Sequence, residues 1–394
     1  MRRIIPAVIA AAWSVLFPAG APGAETRQWT DRLGRKFDGE IVANDALRVT
    51  LAMPGRGKAV VPFAQLSAED VAFVGAWRQQ HRDAPMVDPE KLAPWPAEAV
   101  AADIEVRLVS EDAGARVFLY EGAHFVVQSD VKLPVGVVRD LNAVFEATRA
   151  ALIALPLGLH VGSEKKKYAV CLFSTAEEYG QAGGATASGG VYDGYSGRML
   201  ILLPNLGIQT GGDKRAFDYQ KNLFVVKHEV THQLLRHWRG ELPMWFNEGL
   251  AEVIAATPYT RGRYTFSALD TAIRAYVQKW RRPTDQKPIY LTAPGPLLSA
   301  PVEDWQARVA GQNAYGLYNS AALFTYFLLR HDGAGDGKPI AGMVEAIRRG
   351  ETTEQAVAGK VRAGRDDAKL AADFGRFLKK TGLPVSFEPE APKR

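Results

Sequence analysis

The apolar positions of the chain fall into three regimes. Residues 4–17 form a near-continuous apolar run behind Arg2 and Arg3, followed by small residues at 19–24. Over 25–78 short apolar stretches are separated by Leu33-Gly34, Asn44-Asp45 and Pro54-Gly55, a rhythm that predicts hairpin strands and turns. Ser67 is then placed to cap a short helix over 68–77, with Glu69 and Asp70 in its first turn. Pro85, Pro89, Pro94 and Pro96 stand among polar residues over 79–100, which reads as a semi-extended linker. From 101 onward the pattern predicts strands at 116–120 and 124–128, a helix over 135–155 and a strand over 167–173. The glycine-rich stretch 180–197 reads as a mobile loop near a site. A strand over 198–203 follows, stopped by Pro204. Beyond 220 the periodicity is mostly helical, and no internal repeat is evident.

Length turns these regimes into domains. At 394 residues the chain exceeds what one compact domain needs. The expected division is a signal peptide over 1–24, a small domain over 25–78, a linker over 79–100, a second domain over 101–385 and a tail over 386–394. A basic start, a short apolar core and small residues near the cut are the marks of a secretory signal. The run falls short of the about 20 apolar residues of a membrane span, and no later segment qualifies. The expected location is therefore secreted or periplasmic, with no transmembrane segment after signal removal. The net charge of +5 is modest, and the densest basic cluster, Lys165-Lys166-Lys167, is too short for a nucleic-acid surface. The one cysteine, Cys171, has no partner for an intrachain disulfide. It lies in a strand-like apolar run and reads as a core thiol.

Candidate chemistry is concentrated at 227–252. Lys227-His-Glu-Val-Thr-His232 holds H-E-x-x-H as His228, Glu229 and His232. On a helix, positions i and i+4 share a face, so both imidazoles can point at one ion. Glu229 then projects beside the metal, where it can take a proton from a metal-activated water. Glu248 lies 16 positions after His232, in Trp245-Phe-Asn-Glu-Gly-Leu-Ala-Glu252. Two histidines and a carboxylate form a known catalytic Zn2+ set. Glu252, one turn further on, can hold the other ring nitrogen of a ligand histidine. His81, His124, His160, His237 and His331 show no ligand spacing.

H-E-V-T-H followed by W-F-N-E-G-L-A-E resembles the gluzincins, and within them the peptidase-MA-like bacterial domains. The resemblance implies metal ligands His228, His232 and Glu248, with Glu252 supporting them from behind. It implies a zincin-like domain with a mixed sheet in its N-terminal part and a mainly helical C-terminal part. Only 15 residues separate His232 from Glu248, fewer than in the best-known members, and no G-x-M-E-N-like segment precedes the site. An aminopeptidase reading is therefore not supported. Tyr315-Gly-Leu-Tyr318 resembles the helix start that carries the transition-state tyrosine in aminopeptidase-like gluzincins; Tyr318 aligns best and Tyr315 second. In zincins the peptide commonly lies along an edge strand, for which 198–203 is the candidate; a core strand is the competing reading of that run.

The segment 25–78, with W-T-D-x-x-G-R, V-T-L and V-P-F-x-x-L-S-x-x-D, resembles the Sla-type homology domain. That family implies a small SH3-like β-barrel and an interaction module with a protein partner. The fold class is accordingly α+β. The expected function is zinc-dependent hydrolysis of peptide or protein substrates with Glu229 as general base. A zinc-containing, catalytically silent scaffold of the cell envelope is the alternative, and hydrolysis of another amide or ester is a third reading.

Overall fold

The structure, a computed structural model, describes residues 26–44, 48–80, 88–89, 91–159, 161, 167–185, 188–194, 196–208, 222–238, 240–279, 288–311 and 314–388. The expected signal segment 1–24, residues 81–87 of the expected linker with His81, and also His160, Lys165 and Lys166 lie outside them. The chain divides into two compact units, Met1–Arg78 and Gln79–Arg394. The class is α+β.

In the first unit β1 (Arg27–Thr30), β2 (Lys36–Asn44), β3 (Arg48–Met53) and β4 (Gly57–Pro62) form an antiparallel sheet in chain order. The first turn is tied by Asp31, whose Oδ1 accepts from the N–H of Leu33 and of Arg35, each at 2.9 Å. After β4 the chain returns beside β1 through a bridge between Asp31 and Leu66. Helix α1 (Ala68–Gln80) follows. Ser67 caps it as expected, its Oγ accepting from Asp70 N–H at 3.1 Å. Asp70 faces back into the sheet, where it pairs with Arg27 at 2.7 Å and accepts from Thr30 N–H at 2.7 Å. Burial opposes its ionisation, but bonds from Arg27, Thr30 and Ser67 outweigh this and lower its pKa. Trp29, Ile41, Val49, Leu51, Leu66 and Val74 form the unit's own core.

The second unit is built on a six-stranded mixed sheet. Its strands are β6 (Arg107–Asp112), β7 (Val117–Glu121), β8 (Phe125–Ser129), β9 (Tyr168–Phe173), β10 (Gly190–Asp193) and β11 (Arg198–Leu202). Their order is β10-β11-β9-β8-β7-β6, with β8, β9 and β11 parallel. Helix α2 (Val135–Ala154) packs against β8, and α3 (Ala176–Gln181) against β9 and β11. Two expectations change here. The strand over 198–203 is interior, with Met199, Leu200 and Ile201 fully buried. The edge is β10, which lies inside the glycine-rich stretch expected to be a loop. Gly197, at φ 72°, lets the β10–β11 hairpin turn back tightly, its N–H reaching Asp193 O at 2.8 Å. Cys171 is a buried core thiol, its pKa pushed up by burial to about 12.

The rest is mostly helical, as the periodicity predicts. The helices are α4 (Leu223–Leu234), α5 (Met244–Ala256), α6 (Leu269–Gln278), α7 (Pro294–Ser299), α8 (Val302–Val309), α9 (Ala314–Arg330), α10 (Lys338–Arg348), α11 (Thr353–Ala356) and α12 (Asp367–Thr381). A π-helical turn, Val357–Arg362, extends α11. The unit also reaches into both flanking segments. β5 (Glu98–Val100), in the expected linker, pairs with β13 (Arg263–Thr265), itself paired with β12 (Tyr259–Thr260). β15 (Val385–Phe387), overlapping the expected tail, pairs with β14 (Ile289–Leu291). Among the described residues no helix is long and apolar enough to cross a membrane.

Helix α4 lies against β10 and β11 on one side and α5 on another, and α5 packs along α9. Gln233 Nε2 donates to Ala169 O at 2.7 Å and to Gly197 O at 3.2 Å, fixing α4 to the sheet. On another face Lys227 is buried and donates to Thr257 O at 2.7 Å, tying α4 to the end of α5. Burial, with Lys279 nearby, pushes the Lys227 pKa down to about 7. The α5–α9 contact is close at Gly249. A Cβ there would stand 2.2 Å from Thr325 Oγ1 and 2.5 Å from Ala321 O. Gly249→Ala is therefore expected to lower stability by about 2 kcal/mol through overpacking, read as a fall in the urea midpoint. Gly375→Ala on α12, where a Cβ meets open space, is the control and is expected to be neutral or slightly stabilising.

Candidate metal centre

Helix α4 carries His228 and His232 one turn apart on the same face. Their Nε2 atoms are 3.0 Å from each other. After Leu234 the chain makes a single 3-10 turn over Arg236–Trp238 and restarts as α5 behind Pro243. The short interval is enough. Glu248 Oε2 lies 3.3 Å from His228 Nε2 and 3.4 Å from His232 Nε2. Three donors at about 2.0 Å from a tetrahedral zinc stand about 3.3 Å apart, so the three atoms form a triangle of the size such an ion requires. Among the described residues this trio is the one group of histidine, cysteine or acidic side chains that meets the geometry for holding a metal ion.

The neighbours orient the trio. His228 Nδ1 is 3.0 Å from Glu252 Oε1. With the proton on Nδ1, shared with that carboxylate, the Nε2 lone pair faces the other two donors. Glu252 is itself fixed by Tyr276 of α6, whose hydroxyl donates to Oε2 at 2.7 Å. Burial disfavours a charged His228, yet hydrogen bonds with Glu248 and Glu252, and the charges of Glu252 and Glu229, raise its pKa. Burial works against ionisation of Glu248 too, but the two imidazoles hold its pKa far below the ordinary carboxylate range. Glu229, Glu248 and Glu252 together give the pocket a negative potential, which suits a dication.

Glu229 sits next to the trio in sequence but does not join it. Its Oε2 accepts from Tyr192 N–H, on edge strand β10, at 2.8 Å. Tyr318 of α9 stands beside the site, its ring 6.1 Å from that of His228, with Trp305 of α8 behind it at 6.1 Å. Burial, then the Glu248, Glu252 and Glu229 carboxylates, raise its pKa, so its hydroxyl remains a donor. Tyr315 is 56% exposed. Of the two candidate tyrosines, Tyr318 is the one the fold puts beside His228.

Sequence reasoning brought His228, His232, Glu248, Glu252, Glu229 and Tyr318 into one place, and the structure has them there. It missed Tyr276 and Tyr192. The buried face of α6 is marked by Leu269, Ile273 and Val277, and nothing in that stripe singles out its neighbour Tyr276. Tyr192 acts through its backbone, which leaves no side-chain signal. The metal-stripped protein is expected to take up one zinc ion per chain in calorimetric titration. Tyr276→Phe, which removes only the hydroxyl bracing Glu252, is expected to weaken that affinity about tenfold with little change in thermal stability of the stripped protein.

No family model matches the chain, and no curated protein or solved structure matches it, so the reading of the site rests on its own geometry.

Proposed function

We propose that the chain is an exported zinc-dependent peptidase of the gluzincin type, with His228, His232 and Glu248 as ligands. The observation that carries this reading is the triangle of 3.0, 3.3 and 3.4 Å edges, with one carboxylate, Glu229, held beside it by a separate anchor. A site that only bound metal would have no use for that fourth group. Zinc held there would supply a Lewis acid that polarises a carbonyl and lowers the pKa of water.

The protein's own residues divide the remaining work. Glu229, oriented through Oε2 by Tyr192 N–H, has Oε1 without a hydrogen-bond partner among the described residues and takes the proton of the attacking water there. Tyr318, held protonated by its surroundings, donates to the oxyanion that develops on the carbonyl. An extended peptide lies along β10 in place of the strand expected from the sequence. Tyr192 N–H points away from β11, so this edge faces the site. The first unit, with its four-stranded sheet and its own core, is read as an SH3-like Sla-type homology module that recruits a protein partner.

Glu229→Gln keeps an acceptor for Tyr192 N–H and leaves all three ligands intact. It is expected to retain its zinc by elemental analysis and to lose about 100-fold to 10,000-fold of the rate of cleavage of a mixed peptide library. A full rate in that variant would remove Glu229 from the chemistry. Absence of zinc-dependent cleavage in the unsubstituted protein would favour the silent scaffold.

A further inference from the structure

The first unit carries its charge unevenly. Its four strands pair antiparallel in chain order, so the β1–β2 and β3–β4 turns emerge at the same end of the sheet. Those turns and the residues beside them hold Arg32, Arg35, Lys36, Arg56 and Lys58, all exposed. The carboxylates of this end are Asp31 and Glu69, the latter in the first turn of α1. Asp31 is spent on its own turn, accepting from Leu33 and Arg35 N–H and pairing with Arg35 Nε at 2.6 Å. Among the described residues Arg32, Lys36, Arg56 and Lys58 have no ion-pair partner.

Between Arg32 and Arg35 stands Leu33. It is 77% exposed, the most exposed large apolar side chain among the described residues. The hydrogen bonds of Asp31 fix the backbone on both sides of it, so the turn displays it at the tip.

A soluble polyanion would satisfy the cations but offers nothing to Leu33. Single-stranded nucleic acid is ordinarily met by exposed aromatic faces as well as charge, and no described aromatic side chain of this unit is exposed. A lipid surface rewards both features at once. Anionic headgroups attract the cations, and the boundary between headgroups and chains takes up the leucine.

We propose that this end of the first unit docks on an anionic lipid surface. Leu33 enters the headgroup boundary, and Arg32, Lys36, Arg56 and Lys58 meet the phosphates around it. One leucine and four cations give reversible attachment rather than permanent anchoring. Such contact would hold an exported chain at the membrane after loss of its apolar N-terminal run. The proposal depends neither on the metal centre nor on the peptidase reading.

The test uses the chain from residue 25 onward, because the apolar run over 4–17 would itself bind lipid. Co-sedimentation is measured with vesicles of phosphatidylglycerol in phosphatidylcholine, and with phosphatidylcholine alone. Binding is expected to be at least about tenfold tighter to the anionic vesicles and to weaken as salt rises from about 0.1 M to about 1 M. Arg32→Gln combined with Arg56→Gln should weaken it by about 25-fold, about fivefold for each cation. Leu33→Ser should weaken it severalfold while leaving binding to inorganic polyphosphate unchanged. None of these side chains belongs to the unit's core, and an unchanged thermal midpoint checks that each variant folds. A direct readout needs no loss of binding: the indole emission of Leu33→Trp should shift to the blue on anionic vesicles. That of Ile153→Trp, at a 53% exposed position of the second unit, should not. Equal binding to the two vesicles, full binding by Leu33→Ser, or an indole shift at 153 and not at 33 would each overturn the proposal. Binding to polyphosphate or duplex DNA as tight as to the anionic vesicles would overturn it too, by making the patch a site for soluble polyanions.

Discussion

Two imidazoles and three carboxylates share a small, largely dehydrated space between α4 and α5, and the second unit is organised around keeping them there. Carboxylates brought together in a medium of low polarity repel, and each loses hydration. The arrangement is tolerable because each charged group has an assigned counterpart. Glu248 meets both Nε2 atoms, Glu252 spans His228 and Tyr276, and Glu229 is held by a backbone N–H of the sheet edge. A divalent cation at the centre of the triangle would complete the compensation. The surrounding contacts serve that end: Gln233 fixes α4 to the sheet, Lys227 fixes it to the end of α5, and the absence of a side chain at Gly249 lets α5 lie against α9.

What the sequence made legible was whatever depends on local spacing. Helical periodicity places His228 and His232 on one face, and the capping chemistry of Ser67 marks the start of α1. The spacing of four also puts Glu248 and Glu252 on one face of α5, and both reach His228, at Nε2 and Nδ1 respectively. Gly249 shows why a glycine stands between them: it serves a helix crossing more than 70 positions away in sequence, at Ala321 and Thr325, and not the metal.

What escaped were the features decided by tertiary pairing. Glycines at 189, 190, 194 and 197 raise the flexibility of an isolated chain, so the stretch reads as a loop; pairing with β11 makes it the sheet edge instead. Strands of three residues such as β5 and β15 carry too little periodicity to stand out, and each exists because a distant strand, β13 or β14, offers its edge. Tyr276 looks like any aromatic at the side of an amphipathic helix until Glu252 is placed above it. The neighbours of a metal centre are thus harder to read than its ligands, because their roles are set by distance in space alone.

The central claim is that one ion is gripped by two Nε2 atoms and one carboxylate oxygen. X-ray absorption at the zinc edge, on the full-length protein loaded with one equivalent, addresses it directly. The account predicts nitrogen and oxygen neighbours at about 2.0 Å, with outer-shell scattering from two imidazoles that falls to one in His232→Ala. A spectrum of fully hydrated zinc, or an imidazole signature unchanged by that substitution, would contradict it.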